Sequence, residues 1–157
     1  MKTLQNFSFG GTAALVTSMA LIVGFDAATV QKAAVVTGLL IIGIADNLTD
    51  SLSVHIYQES ERLAQRDAFR TTVANFFTRL VVCLSFIAIL VILPPSGAIP
   101  VSLVWGFALL AVLSYFLAKA RGVNPLSEIA KHCAVAFAVI AISKAIGAWL
   151  PTMIASL

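Results

Sequence analysis

Long apolar runs without charge dominate the sequence. The stretch from Thr3 to Phe25 contains no charged residue, and neither does the stretch from Leu80 to Ala118. A helix needs about 20 predominantly apolar residues to cross the hydrocarbon core of a bilayer, so both runs are long enough to span it. The pattern therefore predicts an all-α integral membrane protein.

Proline and glycine positions divide the chain into five predicted spans within a single domain, 1–157. Pro94-Pro95-Ser96-Gly97 predicts a tight turn between the third and fourth spans. Asn124-Pro125 predicts the N-cap and first turn of the fifth helix, which is expected to end just before Pro151. The spans are expected at about residues 9–25, 30–57, 72–93, 101–118 and 125–150.

The composition agrees with a membrane protein. Hydrophobic residues make up 60% of the chain and charged residues only 11%, with a mean hydropathy of +1.00. Soluble domains have roughly 25% charged residues, and disordered chains are also rich in charge. Cys83 and Cys133 are too few for a disulfide scaffold. We expect the protein to reside in the cell (inner) membrane.

The basic residues predict the orientation of the chain. With a cytoplasmic N-terminus, only Lys32 and Lys144 lie on the outer side, and the C-terminus is outside. Eight basic residues then lie on the cytoplasmic side, as the positive-inside rule requires: Lys2, Arg62, Arg66, Arg70, Arg79, Lys119, Arg121 and Lys131. The net charge of +3 is therefore a topology signal, and we expect lipid rather than nucleic acid as a partner.

The second span carries a polar face that suggests ion binding. Asp46 and Asp50 are four residues apart, which places their carboxylates on neighbouring turns of one helix face. Two adjacent carboxylates in a low dielectric need a proton, a metal or a basic side chain beside them. Hard oxygen ligands of this kind suit Mn²⁺, Mg²⁺ or Ca²⁺ and can accommodate Fe²⁺. The candidate metal ligands are Asp46, Asn47, Asp50 and Ser53, and Glu61 lies further along the same face.

A purely structural interpretation competes with metal binding. Arg79 lies about 10 Å into the third helix, at a depth similar to that of Asp50 in the second helix. An Asp50–Arg79 ion pair is therefore possible. Asp46 lies deeper and has no evident basic partner, which makes it the better candidate to bind and release a proton.

Other polar positions in the spans have weaker interpretations. Asn75 and Thr78 are expected to hydrogen-bond from the third helix to the second. Four residues are possible lining of an ion pathway: Thr12, Thr17, Met19 and Tyr57. The threonine hydroxyls among them often bond to their own helix backbone instead. No hydrolase, P-loop or zinc-protease motif is present, and we expect no enzymatic activity.

Three segments resemble the vacuolar iron transporter family of Fe²⁺/Mn²⁺ exporters. They are Gly-Gly-Thr at 10–12 before the apolar run 15–24, Ala-Asp-Asn-Leu-Thr-Asp-Ser-Leu-Ser at 45–53, and the basic loop 119–126 with its Asn-Pro-Leu. The resemblance implies a homodimer whose first two helices form a pathway for Fe²⁺ or Mn²⁺. It also implies export from the cytosol coupled to H⁺ as the second ion, without a permanently bound cofactor.

The chain departs from that family at three places. Ala13 stands where the family has an acidic residue, and Val54 stands where it has methionine. The cytoplasmic metal-collecting domain is reduced to residues 58–70, and only Asp50 is carried over among the intramembrane acids. These departures motivate the alternative function, a non-transporting membrane scaffold or partner subunit. Contact between Arg79 and Asp50 would favour this alternative, and a hydrated cavity between the Asp46 residues of two subunits would favour transport.

Overall fold

The computed structural model of the protein is entirely helical over the residues it describes, 2–60 and 65–156, with side chains described from Gly10 onward except at 58 and 65–68. Glu61 and Arg62 lie outside the described residues. The five helices are α1 (Lys2–Ala27), α2 (Lys32–Ser60), α3 (Gln65–Ile92), α4 (Pro95–Arg121) and α5 (Pro125–Ile154). Each contains a segment long and apolar enough to cross a membrane, which confirms the prediction of five long apolar helices.

Two helix ends differ from the prediction because of how proline is used. Pro94 is the N-cap of α4, and Pro95 to Gly97, expected in a turn, belong to its first helical turn. Proline suits that position because its fixed φ is helical and its missing N–H would be unpaired there in any case. Pro151 lies inside α5, which continues to Ile154. Close to a helix end it removes only one backbone hydrogen bond, a cost that membrane helices often tolerate.

Helix α1 is the central element of the bundle. It packs against α3, α4 and α5, whereas α2 packs mainly on α3 and meets α1 at few positions. Leu15, Met19 and Ile22 of α1 are buried with Phe86 of α3 and Leu110 of α4. The outer faces of the surrounding helices expose large apolar side chains, which is the arrangement expected where lipid replaces water.

The contact between α1 and α5 depends on small residues. A Cβ atom at Gly147 would overlap the backbone carbonyl oxygen of Gly24. The Ser143 hydroxyl donates a hydrogen bond to the Ala20 carbonyl oxygen at 2.6 Å. Close backbone approach and interhelical hydrogen bonds replace the hydrophobic effect as the source of helix association in a bilayer.

We expect Gly147→Ala to destabilise the protein, because the backbone of Gly24 cannot move aside as a flexible side chain would. Overpacking of this kind costs about 1–3 kcal/mol, which should lower the thermal unfolding midpoint in detergent. Gly97→Ala is the matched control, since a Cβ there meets no atom within 4 Å. Equal midpoints for the two variants would contradict the close α1–α5 contact.

Candidate functional site

The antiparallel pairing of α2 with α3 brings the polar face of α2 to Arg79. The pairing is visible at two levels: the Cys83 thiol donates to the Leu39 carbonyl oxygen at 3.2 Å, and the Thr72 hydroxyl lies 3.5 Å from His55 Nδ1. The helices approach closely beside the Cys83 level, because Gly43 has no side chain and leaves room for that of Cys83. Arg79 on α3 is therefore level with residues 46–50 on α2.

The Arg79 guanidinium donates hydrogen bonds to three side chains of α2. Its Nε donates to Asn47 Oδ1 at 2.6 Å, its Nη2 donates to Asp46 Oδ2 at 2.6 Å, and its Nη1 donates to Asp50 Oδ2. Only 2% of the Arg79 side chain is exposed. Asn47 is also buried and donates to the Gly43 carbonyl oxygen of its own helix. We call Asp46, Asn47, Asp50 and Arg79 the Arg79 cluster.

The expectation that Asp46 lacks a basic partner is wrong. The two carboxylates are four residues apart, and the planar guanidinium has nitrogens on both of its edges and at its end. One arginine can therefore reach both neighbouring turns of α2 at once. The contact between Arg79 and Asp50 is present, and it is one half of a double ion pair.

The two carboxylates remain open on one side. The side chain of Asp46 is 45% exposed and that of Asp50 is 37% exposed, although Arg79 itself is buried. Two negative charges against one positive charge leave the Arg79 cluster with an excess negative charge. Hydrocarbon cannot solvate such a charge, so the open side needs water, a cation or a polar protein surface.

The remaining candidate residues lie outside the Arg79 cluster. Ser53 donates to the Thr49 carbonyl oxygen at 3.0 Å, and Tyr57 is exposed. Met19 is in the apolar core, beside Gly106 of α4, and the half-buried positions on α1 are Thr12 and Thr17. Across the part of the chain that the structure describes, no three His, Cys, Asp or Glu side chains are grouped so as to hold a metal ion.

The expected hydrogen bonds from Asn75 and Thr78 to α2 are not formed. Thr78 donates to the Ala74 carbonyl oxygen of its own helix at 2.7 Å. Asn75 is 1% exposed, and neither its amide nitrogen nor its amide oxygen has a hydrogen-bond partner. It lies against Gly10 of α1, where a Cβ would overlap its Oδ1. The sequence identifies Asn75 as a polar residue of a predicted span, but its position against Gly10 depends on how α3 packs on α1.

We expect Arg79→Leu to destabilise the protein by about 3 kcal/mol, because it leaves two neighbouring carboxylates without a counter-charge. Arg79→Leu combined with Asp50→Asn should recover only part of the stability, since Asp46 stays unpaired. Adding Asp46→Asn as well should recover most of it. The measurement is the thermal unfolding midpoint in detergent, analysed as a mutant cycle.

Arg121→Leu is the control for that cycle. The exposed Arg121 pairs with Glu128 at 3.1 Å, and Glu128 keeps Lys131 as a second partner, so the loss of this ion pair should cost about 0–1 kcal/mol. If the effects of Arg79→Leu and the two aspartate substitutions are simply additive, the Arg79 cluster does not act as a unit.

The chemistry available to the Arg79 cluster follows from its composition. A guanidinium does not lose its proton in proteins, so it competes with any metal ion for the carboxylate oxygens that it contacts. The exposed carboxylate oxygens of Asp46 and Asp50 can accept hydrogen bonds from a partner. No protein-family model, no curated protein and no solved structure matches this chain.

Proposed function

We propose that this chain is a non-transporting membrane scaffold or partner subunit that binds its partner through the open side of the Arg79 cluster on α2. The observation that carries the proposal is the double ion pair of Arg79 with Asp46 and Asp50. A carboxylate pair meant to load a divalent cation should be free to coordinate it. Here the buried Arg79 guanidinium, which is permanently positive, already binds both carboxylates.

The position of the open carboxylates indicates a protein partner. They lie on a helix that spans the bundle. Along that helix, Asp50 is about 10 Å and Asp46 about 16 Å from the Tyr57 end. Lipid tails cannot donate hydrogen bonds to them, whereas a polar side chain of another membrane helix can. The exposed Ser53 and Tyr57 continue the same face of α2 toward that end. This polar face fits a second copy of the chain, in line with the homodimer that the family resemblance implies.

A second candidate is the Fe²⁺/Mn²⁺ transporter, coupled to H⁺, that the resemblance implies. One observation supports it: two half-exposed carboxylates share a single guanidinium and keep an excess negative charge. A divalent cation approaching from the open side could bind their outer oxygens if Arg79 withdrew. In that case Asp46 and Asp50 would be the ligands, and protons would replace the cation on release.

Mn²⁺ flux into liposomes that contain a metal-sensitive dye separates the two functions. The scaffold function predicts that liposomes with the wild-type protein take up Mn²⁺ no faster than empty liposomes. Wild-type flux that Asp46→Asn and Asp50→Asn abolish would overturn the scaffold proposal and support transport. Arg121→Leu is the control for a charge change outside the Arg79 cluster.

Disulfide trapping tests self-association through the polar face of α2. In a Cys133→Ala background, which leaves only the buried Cys83, we expect oxidation of Ser53→Cys to give a covalent dimer. Adding Asp46→Asn should reduce the dimer yield severalfold, because the neutral amide oxygen is a weaker acceptor than the carboxylate for hydrogen bonds from polar side chains of the second copy. Ala138 is exposed on α5 and is the matched position, so the Ala138→Cys variant should stay monomeric. Trapping at Ala138 but not at Ser53 would place the interface elsewhere.

A further inference from the structure

A groove of about 560 Å³ opens between α3 and α4, on the side of α3 away from the Arg79 cluster. Gly11 and Leu15 of α1 form its floor. Its walls are Phe77 and Val81 of α3 and Val112 and Phe116 of α4. The groove ends before the level at which α3 and α4 are joined, where Trp105 Nε1 donates to Ser85 Oγ at 3.1 Å. It therefore runs from that junction toward the end of the bundle where α3 begins and α4 ends.

The lining of the groove suits a hydrocarbon chain. Its hydroxyl group, on Thr78, is already bonded to the Ala74 carbonyl oxygen at 2.7 Å and has no proton left to offer a ligand. The wall from Ala74 to Val82 is about 12 Å long, at 1.5 Å per residue. A partner helix is about 10–12 Å wide and would have to separate α3 from α4 at their junction. A single acyl chain needs no such movement.

Two basic side chains flank the outer end of the groove. Arg70 precedes Ala74 by four residues and so continues the α3 wall, and Lys119 follows Phe116 by three and continues the α4 wall. Both are exposed. Lys119 forms no ion pair with an acidic side chain that the structure describes, and its Nζ lies 5.4 Å from the centre of the Tyr115 ring on its own helix. In contrast, Arg121 and Lys131 at the same end are both paired with Glu128.

We propose that this groove binds an anionic phospholipid, with one acyl chain between α3 and α4 and the headgroup phosphate between Arg70 and Lys119. The charge pattern selects the lipid class, because two exposed cations at the mouth of an apolar groove complement an amphiphile with a negative head. Basic pockets between membrane helices bind anionic headgroups in this way. The proposal depends on α3 and α4 and does not rest on the function proposed for α2.

Lipid binding to the purified protein, measured by native mass spectrometry, tests the headgroup. We expect phosphatidylglycerol to bind at least tenfold more tightly than phosphatidylcholine with the same acyl chains. Replacing Arg70 and Lys119 together by glutamine should remove that preference. The matched variant replaces Arg121 and Lys131 by glutamine, which changes the net charge equally, and should keep it. Equal loss in both variants, or no preference in the wild type, would overturn the proposal.

Photolabelling of the wild-type protein tests the acyl chain without any substitution. Phosphatidylglycerol carrying a diazirine in the middle of one chain should label peptides from residues 74–82 and 109–117 preferentially. Unlabelled phosphatidylglycerol in excess should compete for these labels, and phosphatidylcholine should not. Labels spread evenly over the exposed faces of all helices, or concentrated on α5, would show only bulk lipid contact and overturn the proposal.

Discussion

The buried guanidinium of Arg79 is the interaction on which the position of α2 depends. Helix α2 has few contacts with α1, so its place in the bundle is decided at its interface with α3. There the Arg79 side chain needs hydrogen-bond acceptors, because an unpaired charge within apolar helices costs several kcal/mol. Asp46, Asn47 and Asp50 supply those acceptors together. Sliding α2 along α3 by a turn would break this match, so the charge defines the register.

Helix α3 separates two surfaces of opposite character. One face presents Arg79 to the carboxylates of α2, and another lines the apolar groove with Phe77 and Val81. The first surface carries two half-exposed carboxylates beside a single guanidinium, and the second is an apolar groove flanked by exposed basic side chains. Protein partners complete charged and polar surfaces, whereas lipid tails fill apolar ones. The two surfaces therefore point to different occupants.

The five spans could be predicted because their signal is local. A helix that crosses a bilayer must be apolar along its whole length, and a window of about 20 residues reveals this without knowledge of its neighbours. Helix ends were less predictable at proline. Pro95 and Pro151 both break helices in an average context, yet one begins α4 and the other lies within the last turns of α5. The position of a proline relative to unpaired backbone groups decides its effect.

Helical periodicity alone determined that Asp46 and Asp50 lie one turn apart on one face, since four residues make about one turn. The pattern also marked Arg79 at a matching depth. Only the tertiary structure decided that one guanidinium bonds to both carboxylates, and that Asn75 faces Gly10 without a hydrogen-bond partner. It also created the groove between α3 and α4. These features depend on the distance and rotation between helices, and those are set by side chains packing across interfaces rather than by spacing along one helix.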